Sequence, residues 1–511
     1  MIAPHWGDAC PLFSALDSQE PPFYCSPLIQ VENRVANVSE NGRGWVPSGM
    51  ILPLVIASAL FLENIDGTVL ATSLPAIAVD LNVDPIILKL TFTSYLLSLA
   101  IFIPISGWVA DRFGARKVFC AAITVFTIAS LCCAFTSSLG GFVAARFLQG
   151  IGGAMMMPVG RLVLVRSVPK QQLVTALSYL TLPALIGPVI GPVIGGFITT
   201  FWQWRWIFFV NVPIGLIGLV LAWIYVPDIK LERTSPLDLK GFFLSGGGLA
   251  FLVGGFTVLG VEVLSLPAAC GFIGIGAVLI WAYIRHARRI STPILDLSLM
   301  RYPTFRTSMM GGLWFRIGSG SIPFLLPLML QVGFGLSAFE TGLLTFASAI
   351  GALLMKLTAP RILKQFGFRT ILMVNALLSA VFFALIALFT AQTNHALIFM
   401  ALFIGGFFRS LQFTCLNAIA FAEVSQEELS GASSFASVVQ QVSGSVGVAL
   451  AALILESLRA IHGDNHLSVA DFHTAFGLIS LVIASSLLFH WSLPQHAGAE
   501  VSGHRRPEAG V

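Results

Sequence analysis

One stretch of this sequence decides its fold: Gly107-Trp108-Val109-Ala110-Asp111-Arg112-Phe113-Gly114-Ala115-Arg116-Lys117, which lies between two long apolar runs. Its charged side chains are expensive to place in hydrocarbon, so the stretch predicts a tight connection at a membrane face. We expect Gly107 to let neighbouring helix backbones approach closely and Gly114 to permit a turn that a side chain would obstruct.

A weaker copy of this stretch occurs later in the chain. Lys364-Gln365-Phe366-Gly367-Phe368-Arg369 aligns with residues 111–116, and both segments keep Phe-Gly-x-Arg at an offset of 253 residues (364 − 111). Such internal repeats are typical of membrane proteins that are built from two related halves. We therefore expect two related halves in these 511 residues.

The composition indicates a membrane protein. The chain is 56% hydrophobic and 10% charged with a mean hydropathy of +0.87, whereas a soluble domain has about 25% charged residues. Apolar runs of about 20 residues fit helices and not barrel strands, so the predicted class is an all-α polytopic membrane protein. The net charge of +4 does not indicate nucleic-acid binding, and the seven cysteines show no metal-ligand spacing. Because no catalytic triad, phosphate loop or nucleotide motif is present, we expect no enzyme activity, no cofactor and no metal.

Fourteen apolar runs predict 14 transmembrane helices. They are 49–73, 87–110, 118–136, 142–165, 173–199, 206–227, 241–260, 267–285, 307–331, 340–358, 370–391, 396–421, 430–455 and 472–493. Basic residues such as Arg112, Arg166 and Lys230 are concentrated in the even-numbered connections, which places these connections and both termini in the cytoplasm. The connection 422–429 is acidic and has no base, but acidic residues contribute little to this rule.

The repeat pairs spans 1–6 with spans 9–14 and leaves spans 7 and 8 as an inserted pair. The predicted parts are a disordered cytoplasmic tail (1–48), a first six-helix bundle (49–227), two inserted helices with the central cytoplasmic loop (228–306), a second six-helix bundle (307–493) and a C-terminal cytoplasmic tail (494–511). We call the two bundles the first half and the second half.

Four more motifs follow one another in the first half. They are Glu63-Asn64-Ile65-Asp66-Gly67-Thr68-Val69, Arg146-Phe147-Leu148-Gln149-Gly150-Ile151-Gly152-Gly153-Ala154, Gly187-Pro188-Val189-Ile190-Gly191-Pro192-Val193-Ile194-Gly195-Gly196 and Trp204-Arg205-Trp206-Ile207-Phe208-Phe209-Val210-Asn211-Val212-Pro213. Together with residues 107–117 and fourteen spans, they resemble the major facilitator superfamily, and within it the fourteen-span drug:proton antiporter family with its bacterial multidrug exporters. The resemblance covers about residues 49–493. One departure is Ala71, where the first-span motif of that family usually has Asn, so a polar contact in the pore is missing.

The resemblance implies the major facilitator fold and a transport function. The chain would be a proton-coupled secondary active exporter, an antiporter for multidrug efflux by alternating access, in the bacterial cytoplasmic (inner) membrane. Its partners would be a small-molecule substrate, protons and the lipid bilayer, and it would act as a monomer. Two alternatives remain open: an exporter of an organic anion or a metal–carboxylate complex, because Arg binds carboxylates well, and a non-transporting membrane sensor on a transporter fold.

The predicted proton-coupling residues are Asp66, Glu63 and Arg146. Glu63 and Asp66 are three residues apart and share a face of span 1, and two acids inside a membrane are costly enough to indicate that they carry protons. The alternative is a pair of acids that only packs and hydrogen-bonds between helices. The family motif favours Asp66, and the resemblance gives Arg146 a coupling role. Because Arg146 shares a face with Gln149 and Gly153, a packing stripe with a snorkelling Arg is the alternative there.

Two further sets of residues are predicted to gate or seal the pathway. The gating set is Gly107, Asp111, Arg112, Gly114 and Arg116. Charges at helix ends can engage partner side chains in one conformation and release them in another, although an ordinary solvated loop is the alternative. The helix-bend set is Gly187, Pro188, Gly191, Gly195 and Gly196. This run should bend span 5 and pack its bare surface on another helix, and in the family it seals the pore of antiporters against leak.

The predicted substrate-cavity residues are Arg316, Arg409, Gln331, Gln412 and Asn417. An Arg near the middle of a span costs roughly 2.5–3.5 kcal/mol on insertion scales, so Arg316 and Arg409 should face a cavity or a partner acid. The repeat offset puts Arg316 opposite Glu63. The hypotheses are an ion pair between these two residues that opens and closes during transport, a basic cavity for an anionic substrate, and a packing role.

Overall fold

The computed structural model describes residues 48–168, 172–230, 236–260, 265–425, 427–463, 467–494 and 497–504, with the backbone alone for several residues between 173 and 184. The predicted tail 1–48 lies outside the described residues except for its last one. From residue 49 onward the chain forms one compact unit. The α-helices are α1 Ser48–Asp80, α2 Lys89–Phe113, α3 Ala115–Phe135, α4 Leu139–Ser167, α5 Leu173–Phe201, α6 Trp206–Phe209, α7 Asn211–Tyr225, α8 Leu239–Val258, α9 Leu266–Ala287, α10 Pro303–Gly320, α11 Ile322–Leu328, α12 Ala338–Ile386, α13 His395–Ala420, α14 Leu429–His462, α15 Val469–His490 and α16 Ala499–Ser502. Short 3₁₀ helices lie at Pro85–Leu88 and Leu297–Arg301, and a π-helical turn lies at Met329–Gly333.

The helices confirm the all-α membrane fold, because every predicted span falls on helical residues. Within the described ranges, 12 helices are long and apolar enough to cross a membrane. One of them, α12, has 49 residues and contains two predicted spans on either side of Gly367. The predicted span 173–199 falls on α5, of which Leu185–Phe201 is a shorter apolar helix. The predicted number of fourteen is consistent with these helices.

The sequence repeat is also a repeat of backbone conformation. Gly114, between α2 and α3, has φ 97°, and Gly367, inside α12, has φ 69°. Both values lie where a side chain is disfavoured, so glycine is needed at both positions. A Cβ on Gly114 would lie 2.5 Å from Asp228 Oδ1, and one on Gly367 would lie 3.0 Å from the His504 ring. Each glycine is thus covered by a residue that follows the last helix of its own half.

The inserted helices α8 and α9 pack on each other through glycines. A Cβ on Gly248 of α8 would lie 3.1 Å from the backbone nitrogen of Ile280 on α9, which shows how closely the two helices approach. Ala100 of α2, Tyr283 of α9 and Val438 of α14 belong to one buried apolar cluster. The inserted pair therefore packs against one helix of each half.

Polar contacts join the two halves near both ends of the helices. We call the end with residues 107–117 the motif end, and the opposite end, with residues 81–84, the far end. Near the motif end the contact is a long hydrogen bond of 3.5 Å from Arg161 Nη1 to Ser433 Oγ. Near the far end, Gln331 Nε2 donates to the Thr72 carbonyl at 3.0 Å, and Phe339 N donates to Thr200 Oγ1 at 3.0 Å. Hydrogen bonds that link residues so far apart in sequence hold the far end of the two halves together.

The acidic connection after α13 pairs with the basic segment before α10. Arg301 Nη2 lies 2.7 Å from Glu428 Oε1, and Tyr302 Oη donates to Glu428 Oε2 at 2.8 Å. Hydrogen bonds from Ser425 and Tyr302 lower the pKa of Glu428. The two connections therefore lie at the same end of the helices, although the sequence of 422–429 has no base.

A buried carboxylate cluster and a central cavity

Asp66 of α1 lies at the centre of a fully packed polar cluster. Arg146 Nη1 of α4 lies 2.6 Å from Asp66 Oδ2, while Gln149 Nε2 of α4 and Asn211 Nδ2 of α7 donate to Asp66 Oδ1 at 2.9 and 2.7 Å. Ser130 Oγ of α3 accepts from the same two amides at 2.8 and 2.9 Å. We call these five residues the Asp66 cluster. It joins four helices of the first half around one buried ion pair.

Asp66 is the carboxylate partner of Arg146 among the described residues, and Arg146 Nη1 also donates to the neutral Gln149 Oε1 at 2.5 Å. The Arg146 side chain is fully buried, and its guanidinium carbon lies 4.6 Å from the centre of the Tyr95 ring. Arg146 Nε and Nη2 have no hydrogen-bond partner among the described residues. Because an unpaired buried charge is costly, Arg146 depends on Asp66 for its neutralisation.

Glu63 lies on the same side of α1 as Asp66, but without a cation. Glu63 Oε2 and Tyr95 Oη are buried and have no hydrogen-bond partner in the described part of the chain. Both approach Gly153 of α4, where an added Cβ would lie 3.7 Å from Glu63 Cδ and 3.1 Å from Tyr95 Oη. Of the two acids predicted to carry protons, Glu63 is therefore the one whose carboxylate is not neutralised by an Arg.

A central cavity of about 220 Å³ lies between the two halves. Its lining residues are Thr68, Ala71, Thr72, Leu185, Pro188, Val189, Pro192, Ile322, Pro323, Leu326, Pro327, Thr345, Ser348, Ala349, Ala352, Leu353, Lys356, Arg409 and Ser410. Arg409 Nη2 donates to Ser348 Oγ at 3.0 Å, and Lys356 Nζ donates to Thr414 Oγ1 at 2.8 Å. Neither cation has a carboxylate partner among the described residues, and no acid lines the cavity. The exposed Lys356 lies on the motif-end side, because α12 runs from Ala338 at the far end towards Gly367 at the motif end.

Helix α1 presents the Asp66 cluster and the cavity on opposite faces. Thr68 and Thr72 are four residues apart and share the cavity face with Ala71. At about 100° per residue, Asp66 lies about 160° around the helix from Thr68. A rotation or tilt of α1 would therefore change the Asp66 cluster and the cavity together.

Four of the five predicted cavity residues do not line this cavity. Arg316 is buried inside the second half, where Nη1 donates to the Ser308 carbonyl at 3.2 Å and Nη2 donates to Asn417 Oδ1 at 3.3 Å. Gln412 packs between α12 and α13, where its Oε1 accepts a hydrogen bond from Asn375 at 3.0 Å. The fourth, Gln331, bonds to α1 near the far end, as described above. These four side chains make hydrogen bonds to neighbouring backbone or amide groups, so of the five predicted residues only Arg409 faces the cavity.

The predicted Glu63–Arg316 ion pair is not formed in this conformation. Arg316 contacts residues of its own half, and no ion pair to Glu63 is present among the described residues. The repeat equates their positions in sequence, but it does not equate the directions in which their side chains point.

The glycines of α5 pack against α1 as closely as the sequence predicted. A Cβ on Gly187 would lie 3.1 Å from Ile65 N, and one on Gly195 would lie 2.5 Å from the Val69 carbonyl oxygen. A Cβ on Gly191 would collide with the Thr68 side chain, whereas Gly196 meets the start of α12 in the other half. Pro188 lines the cavity. The predicted bend and sealing role stay predictions, but the bare surface of α5 does contact both halves.

The predicted gating residues contact other parts of the first half. Asp111 Oδ1 lies 2.5 Å from Arg166 Nη1 at the end of α4, and the Arg116 guanidinium lies 5.3 Å from the Trp223 ring centre. Gly114 adopts the positive φ described above, and Arg112 is exposed.

One expectation for this motif was wrong. A Cβ on Gly107 would meet no described atom within 4 Å, so none of the described helices brings its backbone close to this glycine. The close contact in this motif is at Gly114, where the chain turns, and it is with the Asp228 side chain and not with a helix backbone.

Sequence reasoning missed several residues that contact the predicted ones. Asn211 and Ser130 complete the Asp66 cluster, and Tyr95 covers Arg146. Asn211 is a polar residue inside the fourth motif, and Lys356 is a cation inside an apolar run, so both had the signal that drew attention to Arg409. Ser130 and Tyr95 had no such signal. In the described ranges no group of three or more His, Cys, Asp or Glu side chains could hold a metal ion.

Membrane-spanning helices, a buried carboxylate–Arg cluster and a cavity lined by α1, α5, α11, α12 and α13 define a membrane transporter and not an enzyme. A sequence model of the Major Facilitator Superfamily matches residues 56–318 and again residues 308–509, so this chain belongs to that superfamily. It is 35% identical over 441 residues to "Putative multidrug resistance protein MdtD" of Pectobacterium carotovorum subsp. carotovorum, covering 85% of this chain and 94% of the relative. It is 34% identical over 462 residues to the protein of the same name in Citrobacter koseri, covering 88% and 97%. A D-xylose–proton symporter has the same fold, with a TM-score of 0.63 at 17% identity over 88% of this chain and 98% of the symporter.

Proposed function

We propose that this chain exports small molecules, including structurally diverse drugs, in exchange for protons by alternating access. The observation that carries the proposal is the position of the Asp66 cluster and the cavity on opposite faces of α1. The relatives named as multidrug resistance proteins support the drug substrates. We place the protein as a monomer in the bacterial cytoplasmic membrane, with both termini and the motif end in the cytoplasm and the far end outside, because basic residues favour the cytoplasmic side.

The proton-carrying groups are Glu63 and Asp66. In the conformation described, Asp66 is neutralised by Arg146, while the Glu63 carboxylate has no cation partner. A proton on Asp66 would remove the charge that holds Arg146, so the cluster would rearrange and α1 would move with it. Because the cavity face of α1 moves as well, proton binding and substrate release would be coupled.

The direction of access agrees with export. The far end is closed by contacts between the halves, and the exposed cavity residue Lys356 lies towards the motif end. A substrate would therefore enter the cavity from the cytoplasm. The motif at 107–117 would gate this side, and the tight packing of α5 on α1 would limit proton leak through the interface.

The test is substrate-driven proton flux in proteoliposomes, with ethidium as the probe substrate. Wild-type protein should move protons when an ethidium gradient is applied, and Asp66→Asn should lose at least 90% of that flux. Asp80→Asn is the matched control, because Asp80 pairs with Arg205 at the far end of the same helix. If Asp66→Asn retained wild-type flux, proton coupling through Asp66 would be refuted. If the wild-type protein moved no protons with ethidium or with citrate as the substrate, proton-coupled export would be refuted and a non-transporting sensor favoured.

A second candidate substrate class is an organic anion. The observation in its favour is that Arg409 and Lys356 are the only charged residues that line the cavity in the described part of the chain. Citrate and ethidium should then be compared as competitors, each measured by how far it inhibits transport of the protein's substrate in the proteoliposomes. If anions are the substrates, citrate competes, ethidium does not, and Arg409→Gln weakens citrate competition at least tenfold. If ethidium alone competes, the anion candidate is refuted.

A further inference from the structure

An ion pair that the transport mechanism above does not use lies buried at the far end. Lys89 Nζ, at the start of α2, lies 3.1 and 3.0 Å from the two carboxylate oxygens of Glu456 on α14. The same ammonium donates to the Leu259 carbonyl, just after α8, at 3.2 Å. The three N–H donors of this ammonium thus point at two carboxylate oxygens of the second half and at one carbonyl oxygen that follows the inserted helix α8.

The pair is well shielded from solvent. The Lys89 side chain is 0% exposed and the Glu456 side chain 7%. Gly260, with φ 80°, places the backbone after α8 so close to Glu456 that a Cβ would collide with its carboxylate. The backbone after α8 therefore covers the pair in a conformation that only glycine adopts easily. Next to it, Arg459 of α14 pairs with Asp84, which precedes the first turn of the Pro85–Leu88 helix.

We propose that Lys89 and Glu456 form the catch that holds the far end of the transport pathway shut, and that the inserted helix α8 is part of this catch. The proposal rests on alternating access as proposed above and adds the residues that close its outer side. Opening the far end must separate α2 from α14, so it must separate Lys89 from Glu456. This catch also gives the inserted helices a function, because Leu259 and Gly260, just after α8, complete the environment of the Lys89–Glu456 pair.

A buried ion pair is suited to such a catch. In the closed state the two charges neutralise each other, and in the open state both enter water, so neither state contains an unpaired buried charge. Removing one charge leaves the other buried and unpaired in the closed state only, which should favour opening. Replacing both residues by apolar ones removes the gain from hydration on opening, which should favour the closed state.

The experiment measures access to the cavity from outside. A thiol is introduced by Ala71→Cys in a variant without the native cysteines, since Ala71 lines the cavity. Intact cells are then labelled with a membrane-impermeant maleimide. We call this Ala71→Cys variant the parent. We expect Glu456→Gln to raise the labelling rate at least fivefold over the parent. The exchange Lys89→Glu/Glu456→Lys should bring the rate back to within twofold of the parent, and Lys89→Met/Glu456→Leu should lower it below the parent.

Two matched controls separate a catch from a general loss of structure. Asp80→Asn breaks the Asp80–Arg205 ion pair, which lies at the same end but within the first half, so labelling should not change. Gly260→Ala should raise labelling because its methyl displaces Glu456, whereas Gly254→Ala, within α8 and with open space around it, should not. Size-exclusion profiles of all variants verify that they are folded.

Unchanged labelling in folded Glu456→Gln would overturn the proposal. So would failure of the exchange variant to restore the parent rate, or an equal increase in Asp80→Asn. The double apolar variant keeps the test decisive if Glu456→Gln does not fold, because a rise in its labelling also contradicts the catch. The labelling needs no substrate and no proton gradient, so its failure leaves the proton-flux result for Asp66 standing.

Discussion

Replacing Asp66 with Asn changes one heavy atom in the middle of the Asp66 cluster. The carboxylate accepts three hydrogen bonds, one from Arg146 and one each from Gln149 and Asn211. An amide has one acceptor oxygen, so its NH₂ group must face either the guanidinium or the two amide donors. In both orientations donors meet donors, and Arg146 keeps its charge without a counter-ion.

The size of the effect follows from the burial of Arg146. Its side chain is fully buried, and two of its nitrogens already have no partner among the described residues. Removing one partner of a buried ion pair typically costs about 3–5 kcal/mol. That corresponds to a roughly 10²- to 10⁴-fold smaller ratio of folded to unfolded protein. Asp66→Asn should therefore unfold at a clearly lower temperature in detergent.

The assay uses cysteines that the chain already has. Cys120, Cys133 and Cys415 are free and buried, whereas Cys132 and Cys270 are exposed. With Cys10, Cys25, Cys132 and Cys270 replaced by Ser, a thiol-reactive fluorescent dye reports unfolding when the three buried thiols become exposed. The double variant Asp66→Asn/Arg146→Met buries no charge, and we expect it to recover most of the lost stability. It should not recover proton flux, because the titratable carboxylate is gone.

Three results would refute this reasoning. The first is a single variant as stable as the wild type, because Arg146 would then not depend on Asp66. The second is a double variant no more stable than the single one. The third is recovery of proton flux in the double variant, which would make the pair a packing feature and would exclude Asp66 from proton coupling.

Three further predictions concern packing and the loop motif. Gly195→Ala should lower the free energy of unfolding by about 1–3 kcal/mol, because the methyl would lie 2.5 Å from a carbonyl oxygen of α1. Gly254→Ala, in open space, should not lower it, and dye-monitored unfolding compares the two variants. Gly114→Ala should destabilise by about 1–3 kcal/mol because of its positive φ, whereas Gly107→Ala should leave the free energy of unfolding unchanged, and the opposite order would contradict the assigned turn. Asp111→Asn should change stability by less than about 1 kcal/mol because its ion pair is partly exposed, yet it should slow ethidium transport at least fivefold if the motif is a gate.

Much of the fold could be predicted because hydropathy and turn chemistry act over short distances. Twenty apolar residues need a helix to satisfy their backbone in lipid, whatever their neighbours are. The positive φ of Gly114 and Gly367 is also a local requirement; the sequence predicted the turn at Gly114, and the structure adds the matching conformation at Gly367. The Pro- and Gly-rich run of α5 predicted close packing for the same reason, since a surface without side chains leaves room for another helix.

The partners of each polar side chain could not be predicted in this way. Arg316 and Arg409 gave the same signal, a cation near the middle of a span, yet one is buried against Ser308 and Asn417 and the other faces the cavity. Which of these occurs depends on the rotation of each helix about its axis, and packing against neighbouring helices sets that rotation. A repeat in sequence does not fix it.

The sequence alone determined that this chain is a polytopic helical membrane protein with two related halves, because those properties depend on the order of apolar and polar residues along each segment. Only the tertiary structure decided which charges meet. Asn211 reaches Asp66 from 145 residues away, and Lys89, near the start of the predicted span 87–110, is buried against a carboxylate 367 residues later. Contacts over such separations arise when helices pack, and no local pattern encodes them.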